Sequence, residues 1–146
     1  MKQPDPDILR KTSQWLRYAQ EDLRLARHGL TMKSRVPYRL IAYHAQQCAE
    51  KSLKAYLVYH DVDFPYTHNI SHLVELGTRT GNWGKEMADA EELTPFAVSA
   101  RYPGEEEDVT KQEALRAVSI AGTVRRRVLD KLLAEGLDER LLKHLK

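Results

Sequence analysis

The sequence predicts an all-α fold, an up-and-down bundle of three long helices joined by shorter helical pieces. Apolar residues recur three and four positions apart in three long segments, which is the spacing of a helix with one buried face. No segment alternates between apolar and polar residues over the length of a strand. The chain has 146 residues, of which 42% are apolar and 30% charged, so it can bury one core of its own.

The first two long helices are predicted from about Ser13 to Leu30 and from about Tyr38 to His60. Pro37 suits the first turn of the second helix, where its missing N–H costs nothing. Small residues occupy the middle of the inner face of this helix and would let a neighbouring helix approach closely. They are Ala45, Cys48, Ala49 and Ser52. Residues 1–12 are predicted to be an N-terminal extension.

Shorter elements follow. Asn69 is a predicted N-cap for a helix that Gly77 stops, and a further helix up to Ala97 is broken by Pro95. The last long helix starts with a capping box at 110–113 and runs to about Leu133. Its predicted buried stripe consists of Leu115, Val118, Ala121, Val128 and Leu132. The bundle is thus predicted over 13–133, and 134–146 form a short amphipathic tail.

The charges are balanced overall but unevenly distributed. The chain has 23 basic and 21 acidic residues, so net charge alone predicts no binding to nucleic acid. Bases outnumber acids from Met1 to Arg39, residues 105–108 are acidic, and 125–127 are three arginines. A positive surface would result if the fold brought the two basic stretches together.

Several features argue for a cytoplasmic protein that needs no cofactor. The single cysteine, Cys48, cannot form an intrachain disulfide and is predicted to be a small core residue. The chain has neither a signal-peptide pattern nor an apolar run long enough for a bilayer, so we expect no membrane partner. His68 and His72 stand four apart but lack a third ligand, and we interpret them as surface or turn histidines rather than a metal site.

Polar residues line one face of the second helix at helical spacing: Tyr43, Gln47, Glu50 and Lys54. This face is compatible with two interpretations. It is either a solvated surface with a Glu50–Lys54 ion pair, or a polar interface inside the bundle.

Two short patterns are candidates for phosphate chemistry. Arg39 and His44 have the spacing of a pair in which an imidazole transfers a proton and a guanidinium stabilises a phosphorane. Pro103 pushes Tyr102 out of helical geometry, so Arg101 and Tyr102 are predicted at a helix end, where they can contact a phosphate and stack on a base. The alternative is that Arg101 complements a helix dipole or pairs with a carboxylate such as Glu50 or Asp22.

Four blocks of sequence together resemble the HEPN domain over about Trp15 to Leu133. They are Trp15 with Ala19, Asp22–Leu23 and Ala26; the block 44–57, with Gln46–Gln47 and Glu50–Lys51; Thr67–Ile70 with Leu73; and Ala100–Pro103. The resemblance implies a helical bundle that is commonly a homodimer. It also implies a toxin–antitoxin partnership with a minimal nucleotidyltransferase, and in many members a metal-independent ribonuclease with a late Arg-x4-6-His motif.

This sequence departs from that motif. No histidine follows Arg101 within 104–110, where 105–107 are glutamates, and Arg39 with His44 meets the spacing on an earlier helix. The sequence therefore predicts a HEPN-family partner of a minimal nucleotidyltransferase that binds a nucleotide or RNA phosphate and lacks the usual ribonuclease motif. The predicted ligand-binding residues are Arg101, Tyr102, Lys51 and Glu50. The alternatives are an active ribonuclease toxin using Arg39 and His44, and a structural interaction module without a ligand.

Overall fold

Four α-helices and three 3₁₀ helices form the part of the chain that the computed structural model describes, residues 4–81, 83–97 and 108–145. The α-helices are α1 (Pro6–Gly29), α2 (Tyr38–Tyr59), α3 (Ile70–Gly77) and α4 (Lys111–Ala134). The 3₁₀ helices span Lys85–Met87, Asp89–Ala97 and Glu139–Leu145. These ranges contain no strand, and the predicted all-α bundle is confirmed.

The start predicted for the first helix is wrong. α1 begins at Pro6 rather than near Ser13, because Asp5 caps it by accepting a 2.8 Å hydrogen bond from the Asp7 N–H. Proline at the first helical position fits the same geometry. Residues from Pro6 onward therefore extend the bundle instead of lying outside it.

Two other predicted helix N-caps are present in the structure. The Asn69 side chain accepts a hydrogen bond from the His72 N–H at 3.2 Å, and so caps α3. The capping box of α4 is complete, since the Thr110 N–H donates to the Glu113 carboxylate at 3.0 Å and the Glu113 N–H donates to the Thr110 hydroxyl at 3.1 Å. The segment around Pro95 differs from a broken α-helix, because it forms the 3₁₀ helix Asp89–Ala97 with the proline inside it.

α2 lies at the centre of the bundle, between α1 and α4. Asp22 of α1 contacts Lys51, and Gly29 faces Ile41, so α1 runs antiparallel to α2. α4 runs parallel to α2, as the contacts of Cys48 with Ala121 and of Tyr59 with Glu135 show. The chain between α2 and α4, which includes α3 and the first two 3₁₀ helices, returns to the end of the bundle where α2 begins.

The small residues of α2 allow this close packing, as predicted. Ala45, Cys48, Ala49 and Ser52 have no exposed surface. Burial also raises the pKa of the Cys48 thiol to about 12, so this group stays protonated at neutral pH. A buried, protonated thiol packs as a small apolar side chain and is unsuited to nucleophilic chemistry.

The buried stripe of α4 differs from the prediction at its first member. Leu115 is 45% exposed, whereas Ala114 and Ala117 on the adjoining positions are buried against the core. The alanines fit because α4 begins close to the rest of the bundle, where a leucine would need more room. Every helix in the described part of the chain is too short or too polar to cross a lipid bilayer.

Candidate functional site

Two carboxylates lie inside the bundle at the contacts of α2. Asp22 of α1 is 8% exposed and Glu50 of α2 is 3% exposed. A buried carboxylate is stable only when donors or cations surround it. The polar groups that gather around these two residues form the candidate site.

Asp22 joins α1 to α2 through two charged contacts. One carboxylate oxygen lies 2.8 Å from Nδ1 of His44, and the other accepts a hydrogen bond from Nζ of Lys51 at 2.6 Å. His44 and Lys51 stand seven residues apart, about two helical turns, and therefore share one face of α2. We call Asp22, His44 and Lys51 the Asp22 cluster.

The Asp22 cluster reaches solvent. The side chains of His44 and Lys51 are 27% and 24% exposed. Because an ionised carboxylate can only accept, Nδ1 of His44 carries the proton that faces Asp22. The other ring nitrogen, Nε2, is then the one that can exchange a proton with water or a ligand.

Glu50 is the centre of a second cluster, buried more deeply. Its carboxylate oxygens contact Nδ1 of His68 at 2.7 Å, Nε2 of Gln46 at 3.1 Å and Nζ of Lys54 at 3.0 Å. Gln46 also donates to the His68 carbonyl at 3.2 Å and accepts from Gln47 at 2.7 Å. The Glu50 cluster thus ties the chain before α3 to the middle of α2.

The Lys54 ammonium is buried between this carboxylate and aromatic rings. It lies 5.5, 5.7 and 5.9 Å from the ring centres of Trp15, Phe64 and Tyr66. Ring faces attract a cation, so they add to the Glu50 charge in compensating the loss of water. The polar face of α2 is therefore an interface inside the bundle at Glu50 and Lys54. The ion pair expected between them is present at 3.0 Å, but it is buried rather than solvated.

The structure separates several of the predicted site residues. Arg39 is exposed on the first turn of α2. It lies about 140° around the helix from His44, because the two are five positions apart, so they do not face one point within a protomer. Lys51 and Glu50 belong to different clusters. Arg101 and Tyr102 lie outside the described residues.

A hollow of about 470 Å³ lies between the 3₁₀ helix Asp89–Ala97 and the start of α4. Phe96 of the 3₁₀ helix and Asp108 ahead of α4 both line it. Its floor is apolar and its rim carries Arg116, which binds Glu92 through two hydrogen bonds of 2.8 and 2.6 Å. The remaining lining residues are Leu93, Pro95, Val109, Glu113, Ala117 and Ile120.

A third set of polar side chains lies where the C-terminal ends of α2 and α4 meet. The Glu135 carboxylate pairs with Nε2 of His60 and accepts from the Tyr56 hydroxyl at 3.4 Å, while the Tyr59 hydroxyl donates to the Glu135 carbonyl at 3.2 Å. Burial raises the pKa of both tyrosines. Sequence spacing could not reveal these contacts, since they join residues far apart in the chain.

The described residues form an antiparallel helix pair with a parallel third helix, and carboxylates lie inside this bundle. The model of the HEPN domain family matches residues 12–132. The chain belongs to this family. A crystal structure of an archaeal HEPN homologue is similar, with a TM-score of 0.66 and 25% sequence identity, and the match covers 90% of this chain and 99% of that one. No curated protein matches the chain.

Replacing Asp22 by asparagine should destabilise the protein, because the negative charge and one of the two acceptor oxygens that His44 and Lys51 contact are lost. We expect Asp22→Asn to lower the free energy of unfolding by about 1.5–3 kcal/mol, the range for hydrogen bonds to charged groups. Denaturant titration measures this change. Glu21→Gln alters the exposed neighbour and should stay within about 0.5 kcal/mol of the wild type. Equal effects of the two variants would contradict the role assigned to the Asp22 cluster.

Proposed function

We propose that this HEPN-family protein acts as the partner of a minimal nucleotidyltransferase in a toxin–antitoxin pair. We further propose that it binds a nucleotide or RNA phosphate through Arg101 and Tyr102. Family membership supports the first part, and the partner assignments of Asp22 and Glu50 support the second. Co-expression of the two chains followed by co-purification tests the partnership.

The observation that carries the Arg101 proposal is that its two expected structural partners are already engaged. Asp22 contacts His44 and Lys51, and Glu50 contacts Lys54 and His68. Both carboxylates thus have cationic or histidine partners among the described residues. A guanidinium offers a planar pair of donors for phosphate, and a tyrosine ring offers a stacking surface for a base.

The hollow beside Phe96 and Asp108 is suited to the base rather than the phosphate. Its floor is apolar, while Glu92, Asp108 and Glu113 place carboxylates on its lining. Carboxylates repel a phosphate, and Arg116 of the same hollow is already paired with Glu92, so we assign the charge that holds the phosphate to Arg101. Lys51 reaches solvent and remains a candidate second contact, whereas Glu50 would act by supporting α2.

Removing the Arg101 guanidinium should abolish ligand binding without unfolding the protein. We expect Arg101→Ala to lose calorimetric binding of nucleotide or short RNA, with a melting temperature close to that of the wild type. Arg79→Ala is the matched control, since Arg79 is an exposed arginine that follows α3. A variant that is markedly destabilised yet binds as well as the control wherever it is folded would contradict the proposal. Such a result would favour the structural interaction module.

Metal-independent ribonuclease activity is a second candidate, favoured by the geometry of His44. Asp22 orients the imidazole through Nδ1, and the side chain is partly exposed, as a general acid or base requires. Arg39 faces elsewhere in the same protomer, so a clamp that uses Arg39 needs a second copy of the chain.

If His44 transfers the proton, His44→Ala should lower RNA cleavage by about 10²–10⁴-fold. The cleavage assay is run with excess chelator, and His72→Ala serves as the control on a partly exposed histidine of α3. Absence of chelator-resistant cleavage by the wild type would exclude this candidate and leave the binding proposal intact. Cleavage that survives His44→Ala would assign the activity to other residues.

We propose that the protein is a homodimer, as family members often are. Leu25 and Tyr18 are large exposed residues on the outer face of α1, with exposed fractions of 53% and 37%. They stand seven positions apart and so form one line along the helix, which a second copy of α1 could cover.

Sedimentation at micromolar concentration should show a dimer. Leu25→Glu should shift the equilibrium towards monomer, because it places a charge in the contact. Leu115→Glu changes a leucine on α4 that is also exposed, by 45%, and should leave the dimer intact. A monomeric wild type would contradict the proposal, and dissociation by Leu115→Glu alone would move the contact to α4.

A further inference from the structure

Two exposed apolar side chains stand at the turn between α1 and α2. Met32, just after α1, is 46% exposed, and Leu40, in the first turn of α2, is 39% exposed. We call residues 31–40, which close this end of the α1–α2 pair, the hairpin tip. Val36 and Tyr38 of the same segment pack against the core, so the tip is anchored to the bundle while Met32 and Leu40 face solvent.

The hairpin tip is basic. Lys33, Arg35 and Arg39 are exposed. No aspartate or glutamate occurs in the sequence between Asp22 and Glu50. None of the three cations takes part in an ion pair within the ranges that the structure describes. The tip therefore combines positive charge with exposed apolar surface.

Local structure does not explain two of these arginines. Arg39 is the second residue of α2, where the positive end of the helix dipole disfavours a cation. Arg35 has a φ of 52°, in the left-handed region that glycine or asparagine adopts at lower cost. Other residues at these positions would suit the fold better, so the two arginines point to a contact outside the fold.

The hairpin tip is held in one conformation by its own hydrogen bonds. The Met32 N–H donates to the Gly29 carbonyl at 3.2 Å, and the Tyr38 N–H donates to the Val36 carbonyl at 3.0 Å. A turn that is fixed in advance loses less entropy when its side chains meet a partner.

The composition and size of the tip favour a membrane surface over RNA or another protein. An RNA backbone pairs with basic groups and its bases stack on aromatic rings, but neither contact accounts for an exposed Met32 and Leu40. A specific protein–protein contact takes about 20–30 residues from each side, more than the tip contains. A bilayer offers anionic headgroups to the basic residues and, just beneath them, an apolar layer to the other two.

We propose that the hairpin tip docks on a membrane surface rich in anionic phospholipids. Lys33, Arg35 and Arg39 bind the headgroup phosphates, and Met32 and Leu40 enter the boundary between headgroups and acyl chains. Each basic residue held near an anionic bilayer strengthens binding by about fivefold, so the contact is reversible.

Docking on a bilayer surface needs neither a signal peptide nor a helix that spans the membrane. The expectation of no membrane partner rested on the lack of both, so it does not bear on a contact of this kind. The hairpin tip goes beyond the partnership and the Arg101 site proposed above and depends on neither.

Sedimentation with lipid vesicles tests the proposal. The wild type is mixed with vesicles of phosphatidylcholine alone, or of phosphatidylcholine with about 30% of the anionic lipid phosphatidylserine. We expect binding to the anionic vesicles only, and weaker binding as salt is added. The charge variant Lys33→Glu/Arg39→Glu should bind these vesicles at least about 25-fold less tightly, since two fivefold contributions are lost.

Arg79→Glu/Lys85→Glu is the matched control, because it changes the net charge equally at the other end of the bundle. Trp83, between these two positions in the chain, contacts Tyr56, which lies about 25 Å along α2 from Arg39. This distance exceeds the screening length of about 10 Å in dilute salt, so the control should bind within about twofold of the wild type.

The charge variant should keep its fold. A glutamate at the second residue of α2 suits the helix dipole, so Lys33→Glu/Arg39→Glu should melt no lower than the control. If it does melt lower, Lys33→Gln/Arg39→Gln replaces it in the vesicle measurement.

A second variant tests the apolar part of the contact. Met32→Ser/Leu40→Ser retains every charge and should weaken binding to anionic vesicles at least about tenfold, because two side chains no longer leave water. Leu115→Ser changes an exposed leucine on α4 and should bind as the wild type does.

A wild type that does not sediment with anionic vesicles would overturn the proposal, as would equal binding by the charge variant and its control. Unchanged binding by Met32→Ser/Leu40→Ser would show that charge alone acts, and would overturn the insertion of the tip. Binding of a single-stranded RNA that is lost in the charge variant, with no binding of vesicles, would assign the tip to nucleic acid instead. These outcomes leave the tests of co-purification and of Arg101→Ala unaffected.

Discussion

The burial of α2 is the constraint on which the structure depends. Fifteen of its 22 residues are buried, among them Gln46, Gln47, Glu50 and Lys54. A helix enclosed by neighbours cannot pass its polar groups to water, so each must find a partner within the bundle. Asp22 from α1 and His68 from the chain before α3 supply such partners. The contacts that satisfy the buried polar groups of α2 therefore also fix the positions of the neighbouring segments.

In α2, residues that carry the family resemblance are also residues that hold the bundle together, so they need not be the ones that act on a ligand. The block from His44 to Lys51 carries much of the resemblance to HEPN domains, yet Gln46 and Glu50 contact His68 before α3, and Gln47 donates to Gln46. Groups that are fully engaged in the fold have little capacity left for a ligand. The partly exposed His44 and Lys51, at the edge of α2, keep access to solvent.

Sequence patterns predicted where the helices lie in the chain, but not which helices pack against each other. Stripes of apolar residues and the capping box located α2 and α4 closely, because these signals act within a few residues. The start of α1 was missed since Asp5 and Pro6 precede the apolar stripe that marks the rest of the helix. Leu115 was wrongly predicted to be buried, because periodicity identifies one face of a helix but not how much of that face the neighbouring helices cover.

The candidate site was less predictable because its contacts are between distant residues. Helical spacing could list Glu50 and Lys54 on one face, but a single helix does not reveal whether another helix covers that face. The pairing of Asp22 with Lys51, and of His60 with Glu135, depends on how the helices cross. The departure from the family's ribonuclease motif could be stated from sequence, since it concerns neighbouring residues.

The parallel arrangement of α2 and α4 also has a consequence for how the chain folds. α1 and α2 are neighbours in sequence and can pair through a short turn, so the Asp22 cluster forms within one local hairpin. α4 can join α2 only after the chain from His60 to Thr110 has closed on itself, and the entropy lost in closing a loop increases with its length. We expect the hairpin of α1 and α2 to form first and α4 to dock onto it. Formation of the α4 contacts should then be the folding step whose rate depends most on chain topology.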